Sequence, residues 1–220
     1  MHSEGDFKKD GAGAFHEKHS LSIRIWHWTT FITIASSLVL VLLGSTMFRT
    51  GDNVSLVQEQ LERKGAVVTK DQAWSVAHEY SDKLWMAHKW VGYGLCFLLF
   101  SRFIIELAQP GEEKMKLKIK RAMGFKATTP AEKDERRHYL IVREGYLVFY
   151  LLFLVMGLTG LGLAFEHSPI LKDIQDPIKE VHSIVQYLIY TYILVHLIGV
   201  VWADIGKYQG IVSGMIHGKK

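Results

Sequence analysis

Four stretches of this chain, 21–47, 84–107, 146–165 and 181–203, are long and apolar. A helix needs about 20 such residues to cross the hydrocarbon of a bilayer. A backbone in hydrocarbon must also satisfy its own polar groups, which a helix does and an open strand does not. The two conditions leave one fold class: an all-α, integral membrane four-helix bundle, formed by residues 1–220 as a single membrane domain. One or two soluble domains, the default for 220 residues, are excluded by the same stretches.

The opening residues, "MHSEGDFKKDGAGAFHEKHS", hold no apolar core of a signal peptide. The first crossing helix is therefore expected to act as an uncleaved insertion signal. The single cysteine, Cys96, lies inside the second apolar stretch, which excludes an intrachain disulfide. The sequence has no CxxCH motif, so ordinary covalent c-type haem attachment is excluded too. Cys96 is read as a small core residue.

Basic residues set the expected orientation. The connection 109–144 carries ten, Lys114, Lys116, Lys118, Lys120, Arg121, Lys126, Lys133, Arg136, Arg137 and Arg143. The connections 48–83 and 166–180 are sparser in Lys and Arg and richer in acids. Residues 109–144 are thus expected in the cytoplasm and the other two connections outside, with both termini cytoplasmic. The tail "HGKK" agrees with this. Orientation and anionic headgroups account for the basic loop, and no nucleic-acid partner is expected.

Between Asn53 and Ser81, "VSLVQEQLERKG" and "TKDQAWSVAHEY" predict two short amphipathic helices on the outer face. "GEEKMKLKIKRAMGF" predicts a basic interfacial helix on the inner one. Trp26, Trp28, Trp85 and Trp90 stand where an interfacial aromatic belt is expected.

Of eleven histidines, four fall within the apolar stretches: His27, His88, His182 and His196. Polar groups inside a membrane are costly and tend to face the bundle interior. A single one is as well explained by a hydrogen bond to a neighbouring helix. Four together ask for more. The fourteen residues from His182 to His196 turn through about 1,400°, roughly 40° short of four full turns, and rise about 21 Å. These two imidazoles share a helix face but are too far apart to share a metal ion. Alternating helix directions put His27 and His196 near the cytoplasmic side, and His88 and His182 near the outer side. Depth alone makes the pairs His27/His196 and His88/His182.

Two imidazoles per layer suit a haem. Tetrahedral zinc takes four protein ligands, or three and a water, and neither layer offers a third within the membrane. A haem brings four equatorial nitrogens and needs two axial groups. Bis-imidazole ligation fills both, which favours electron transfer over oxygen binding, and helix bundles build cofactor sites from facing helices. Gly92, Gly94, Gly199, Gly157, Gly160 and Gly162 would leave room for a macrocycle, although close helix packing explains any one of them better. Arg24 and Lys89 are candidate propionate contacts, with snorkelling to headgroups as the plainer role. Arg102 and Glu106 are read first as a local i,i+4 ion pair.

Three stretches carry a family likeness: "RIWHWTT", "HKWVGYGLCFLLFSRFI" and "VHSIVQYLIYTYILVHLIGV". With the tail "GIVSGMIHGKK", they make residues 20–220 resemble the bacterial cytochrome b561 and nickel-hydrogenase b-type cytochrome superfamily, which includes formate dehydrogenase gamma subunits. The resemblance implies a multi-pass protein of the bacterial inner (plasma) membrane, with His27, His88, His182 and His196 as axial ligands of two haem b. It also implies electron transfer between a partner redox protein and the quinone pool. Arg24, Asp204, Tyr139 and His138 are then candidate quinone-side groups, each with an ordinary interfacial role as the alternative. Stand-alone b561 proteins often open the third helix with a histidine before its tyrosine, where this chain reads "REGYLVFY". That departure and the longer loops lean toward a subunit of a larger complex. The competing readings are a stand-alone b561-like oxidoreductase coupling a small species such as superoxide to quinone, and a transporter or scaffold whose histidines only hydrogen-bond.

Overall fold

The structure, a computed structural model, describes residues 20–111, 114–166, 168–206 and 209–218. Among these residues there is no strand. The elements are α1 (Leu21–Ser45), α2 (Thr50–Glu62), α3 (Lys70–Ala108), α4 (Met115–Gly124), α5 (Pro130–Ala164), α6 (Gln175–Ile205) and α7 (Ile211–His217), with a 3-10 turn at Lys172–Ile174 leading into α6. α1, α3, α5 and α6 are long and apolar enough to cross a membrane. Between 6 % and 17 % of the residues in their most apolar windows are buried within the protein, so most of that apolar surface faces lipid.

Local chemistry sets the helix starts. Ser20 caps α1 by accepting from the Ile23 N–H at 3.4 Å. Thr69 and Gln72 form a reciprocal capping box at the start of α3, with bonds of 3.2 and 2.9 Å. Thr129 and Glu132 do the same for α5, where Pro130 occupies a first-turn position that needs no N–H donor. Both long helices therefore begin well before their apolar stretches.

This corrects one expectation from the sequence. Residues 70–80 do not form a separate short helix; they are the first turns of α3. No Gly or Pro interrupts the chain from Lys70 to Val91, so a helix nucleated at Thr69 has nothing to stop it. At 39 residues α3 is about 58 Å long, against about 30 Å of hydrocarbon. Its first part stands clear of the bilayer, with α2 packed alongside through Val54, Ala73 and Ala77. In the same way α5 takes up 130–144 of the expected 109–144 connection. The basic helix expected in that connection is present as α4.

In the bundle α3 packs on α1 and on α5, and α5 packs on α6; α2, α4 and α7 lie on α3, α5 and α6 respectively. Neither α1–α6 nor α3–α6 is among the principal packings. Small residues permit the close crossings. A Cβ on Gly44 would stand 3.2 Å from Leu84 Cδ2, and one on Gly162 would stand 3.2 Å from Ile178 Cδ1. The core of α1, α3 and α5 is Trp26, Leu99 and Phe153. Trp26 thus departs from the expected interfacial belt: it is 8 % exposed, and its indole N–H donates to the Leu98 carbonyl of α3 at 2.7 Å.

The two ends of the described chain meet on one face, the termini face; α2 marks the far face. α7 is entered through Gly210 at φ +85° and left through Gly218 at φ +72°, backbone that glycine adopts without penalty. The Arg24 Nη1 donates to the Ile216 carbonyl at 2.9 Å and the Trp28 indole N–H to the Met215 carbonyl at 3.2 Å. Asp204 accepts from the Val212 N–H at 3.3 Å. A Cβ on Gly218 would lie 2.8 Å from the Arg24 guanidinium carbon. Left-handed backbone costs a non-glycine residue about 1–2 kcal/mol. Gly218→Val is therefore expected to undock α7, raising amide hydrogen exchange over residues 211–217 by about tenfold or more and leaving the unfolding of the four long helices unchanged.

Candidate functional site

The four intramembrane histidines sit at two depths. On the termini face side, His27 in the second turn of α1 meets His196 near the end of α6, with ring centroids 6.4 Å apart and planes inclined at 55°. His196 lies parallel to the ring of Tyr192 at 6.1 Å, and Tyr192 packs on Phe149 of α5 at 5.3 Å. On the far side, His88 of α3 and His182 of α6 are each engaged by a hydroxyl of a neighbouring helix. Trp85 stands edge-on to His88 at 5.7 Å.

Hydroxyls on the neighbouring helices hold the far pair. Ser37 of α1 shares a hydrogen bond with His88 Nδ1 at 3.3 Å. Thr159 of α5 contacts His182 Nδ1 at 2.9 Å, and its hydroxyl also reaches the Val155 carbonyl at 2.8 Å. A hydroxyl has one proton. With that proton given to Val155, the Thr159 oxygen accepts from Nδ1–H of His182, and the lone pair is left on Nε2. Metal-bound imidazoles are oriented by this kind of bond on the other nitrogen. Gly160 makes the approach possible, since a Cβ there would stand 3.3 Å from His182 Cε1. The sequence reading missed Ser37 and Thr159. Their signal is a hydroxyl at histidine depth in an apolar helix, which back-bonding to the helix's own carbonyls imitates.

The site has the dimensions for two axial imidazoles. Two metal–imidazole bonds of about 2 Å, with about 1 Å from each nitrogen to its ring centre, span about 6 Å, matching the 6.4 Å between His27 and His196. Both histidine pairs bridge helices that are not principal packing partners. A Cβ on Gly92 or Gly199 would meet nothing within 4 Å. Gly157, Gly160 and Gly162, by contrast, press on Cys96, His182 and Ile178, so their role is close packing. Among the described residues no group of three or more His, Cys, Asp and Glu side chains converges as a metal site. The donor set fits a group that brings its own equatorial ligands.

The other sequence candidates have structural engagements. Lys89 pairs with Glu166 at 3.4 Å, tying α3 to the end of α5. Arg24 holds α7, and its buried Nε has no hydrogen-bond partner among the described residues. Asp204 caps α7. Tyr139 lies under the Arg143 guanidinium at 4.8 Å. His138 lies in the early part of α5, and it too makes contacts.

Fold and site define a class: a multi-pass helical membrane protein whose bundle interior brings imidazoles together in pairs. Comparison specifies it further. The model of the prokaryotic cytochrome b561 family matches residues 18–218, and the chain belongs to that family. It is a b-type cytochrome, a membrane electron-transfer protein of the bacterial inner membrane. No curated protein and no solved structure matches the chain. Membership removes the transporter or scaffold reading.

Loss of an orienting partner typically lowers metal affinity about 10- to 100-fold. Thr159→Val tests whether His182 carries a haem: haem loss to apomyoglobin faster by a factor in that range is the outcome if it does, and an unchanged rate the outcome if it does not. Ser36→Ala, which removes a hydroxyl bonded only to its own helix, should leave the rate unchanged.

Proposed function

We propose that this cytochrome is a dihaem subunit that moves electrons between a redox partner on the outer face and the quinone pool at the cytoplasmic face. His27 and His196 hold one haem b, and His88 and His182 hold the other. The observation that carries this reading is the 6.4 Å approach of His27 and His196 across helices that are not principal packing partners. When bound, the haems supply one-electron chemistry; the protein supplies axial ligands, orientation and electrostatics.

Support for the assignment comes from groups around each layer. Next to His27, the buried Arg24 Nε and Thr30 Oγ1 have no hydrogen-bond partner among the described residues, and each is about one turn from His27 on its face. Arg24 is the donor we assign to a propionate on that side; Lys89, already near Glu166, is its counterpart beside His88. Support for a cytoplasmic termini face comes from the ten basic residues of 109–144, since cytoplasmic loops carry an excess of Lys and Arg. The far-face projection of α2 and α3 is then the part of the chain nearest an outer partner.

The test is a pyridine haemochrome assay with reduced-minus-oxidised spectra on the purified chain. Two haem b per chain are expected, and a single haem would return one histidine pair to a structural role. His88→Ala should remove one spectral component and His27→Ala the other. Loss of the same component from both variants would break the depth pairing.

A further inference from the structure

The two imidazole layers are held by different devices. On the far side hydroxyls meet Nδ1 of His88 and of His182, and the aromatic neighbour of His88, Trp85, stands edge-on at 84°. On the termini side the neighbour of His196 is a parallel ring. Tyr192 and His196 are 6.1 Å apart between ring centroids, with planes inclined by 6°, which is the geometry of an offset stack.

Spacing explains why these rings meet. Tyr192 precedes His196 by four residues on α6, which puts them about 40° apart around the axis and about one turn apart along it. Helical side chains lean toward the N-terminus, so the imidazole of His196 is carried back over residue 192. Spacing does not explain why the stack would hold still. On the surface Trp74 and His78, also four apart, stack at 4.4 Å with Trp74 46 % exposed. Tyr192 differs in what lies against it. Phe149 of α5 packs on its ring at 5.3 Å, and Phe149 packs in turn on Phe153 at 5.5 Å. Phe153 is 3 % exposed and belongs to the core shared by α1, α3 and α5. A row of rings thus runs from that core to the imidazole.

An imidazole needs such a hold. Its χ2 torsion has broad, roughly two-fold wells, so the rotamer alone leaves the ring plane loose. Partners beyond the ligand set fix the plane of a metal-bound imidazole, commonly through a hydrogen bond on its second nitrogen. The plane has electronic weight, because an axial imidazole overlaps the iron d orbitals through its π system, and that overlap takes the direction of the ring. A ring locked in one plane by its packing is preorganised for ligation. We propose that Tyr192, packed against Phe149, is a positioning residue of the termini-side site: it fixes the plane of the His196 imidazole by stacking, as Thr159 fixes His182 by a hydrogen bond. The assignment rests on the dihaem reading above and deepens it. The ring carries the effect and the hydroxyl does not, so phenylalanine is expected to serve in its place.

The experiment is low-temperature electron paramagnetic resonance of the oxidised, haem-loaded full chain in phosphatidylcholine nanodiscs. The low-spin ferric signal that His27→Ala abolishes identifies the termini-side haem. In Tyr192→Leu that signal is expected to broaden and its largest g value to shift, with the far-side signal and the haem content kept. Tyr192→Phe should keep the wild-type signal, and Phe149→Leu should shift it in the same sense as Tyr192→Leu. Loss of the stack should also speed haem transfer to apomyoglobin from this layer about twofold to tenfold. An unchanged termini-side signal in Tyr192→Leu overturns the positioning role and leaves the dihaem reading standing. A Tyr192→Phe signal equal to that of Tyr192→Leu does the same, as does an equal change in both haem signals, which makes Tyr192 a general packing residue. A chain in which neither His27→Ala nor His196→Ala removes a haem signal overturns the dihaem reading, and this proposal with it.

Discussion

An imidazole inside hydrocarbon has to bond to something, and this constraint organises the bundle. Each of the four intramembrane histidines lies on α1, α3 or α6, yet the helix pairs that bear a shared layer are not among the principal packing pairs. Direct packing of α1 or α3 on α6 would bury the imidazoles against apolar side chains with no partner for their ring nitrogens, a cost of a few kcal/mol apiece. The histidines stay tolerable because hydroxyls engage Nδ1 on the far side and because His27 and His196 approach each other on the termini side. A group bound between paired rings would satisfy the remaining nitrogens, so stability of the bundle and loading of the site are the same free energy seen from two ends.

Depth was legible in the sequence because helix direction alternates and because fourteen residues bring His182 and His196 onto one face. The same simplicity made the fold class and the family readable, since apolar length and a few histidine-bearing stretches carry both. Local continuity was harder to see. Residues 70–80 look like a separate amphipathic helix by composition, and only the lack of a stop signal before Leu84 distinguishes an extension from a new element. Trp26 could not be told from an interfacial tryptophan, because its burial depends on the Leu98 carbonyl of another helix. Arg24 and Asp204 were readable as interfacial groups, whereas their engagement with α7 depends on a tail that docks through tertiary contacts.

The termini face gathers more fixed polar contacts than sequence position alone would suggest. Glu106 joins the end of α3 to the start of the basic α4, and α4 lies on α5. The positive end of the α4 dipole therefore meets a carboxylate, and the basic residues of α4 follow it at the expected headgroup level. Arg24, Trp28 and Asp204 fasten α7 beside the start of α1. Two short helices thus frame the end of the bundle where His27 and His196 meet.

The helix that contributes no intramembrane histidine does the most to relate the two layers. α5 packs on both α3 and α6. Its Thr159 orients His182, its Phe149 backs the Tyr192 ring that lies under His196, and its Tyr150 holds Arg102. Its glycines let the neighbouring helices and His182 come close where a larger residue would hold them apart. A ligand-bearing helix is constrained at the ligand; α5 is constrained along its whole buried stripe, because a rotation that improved one of these contacts would spoil the others. Tyr150 and Thr159 are nine residues apart, which is two and a half turns and about 13.5 Å of rise, so they stand at different depths and on opposite sides of the α5 axis. That offset lets one helix grip α3 at the termini end and α6 at the far end, setting the spacing of both imidazole layers without entering either.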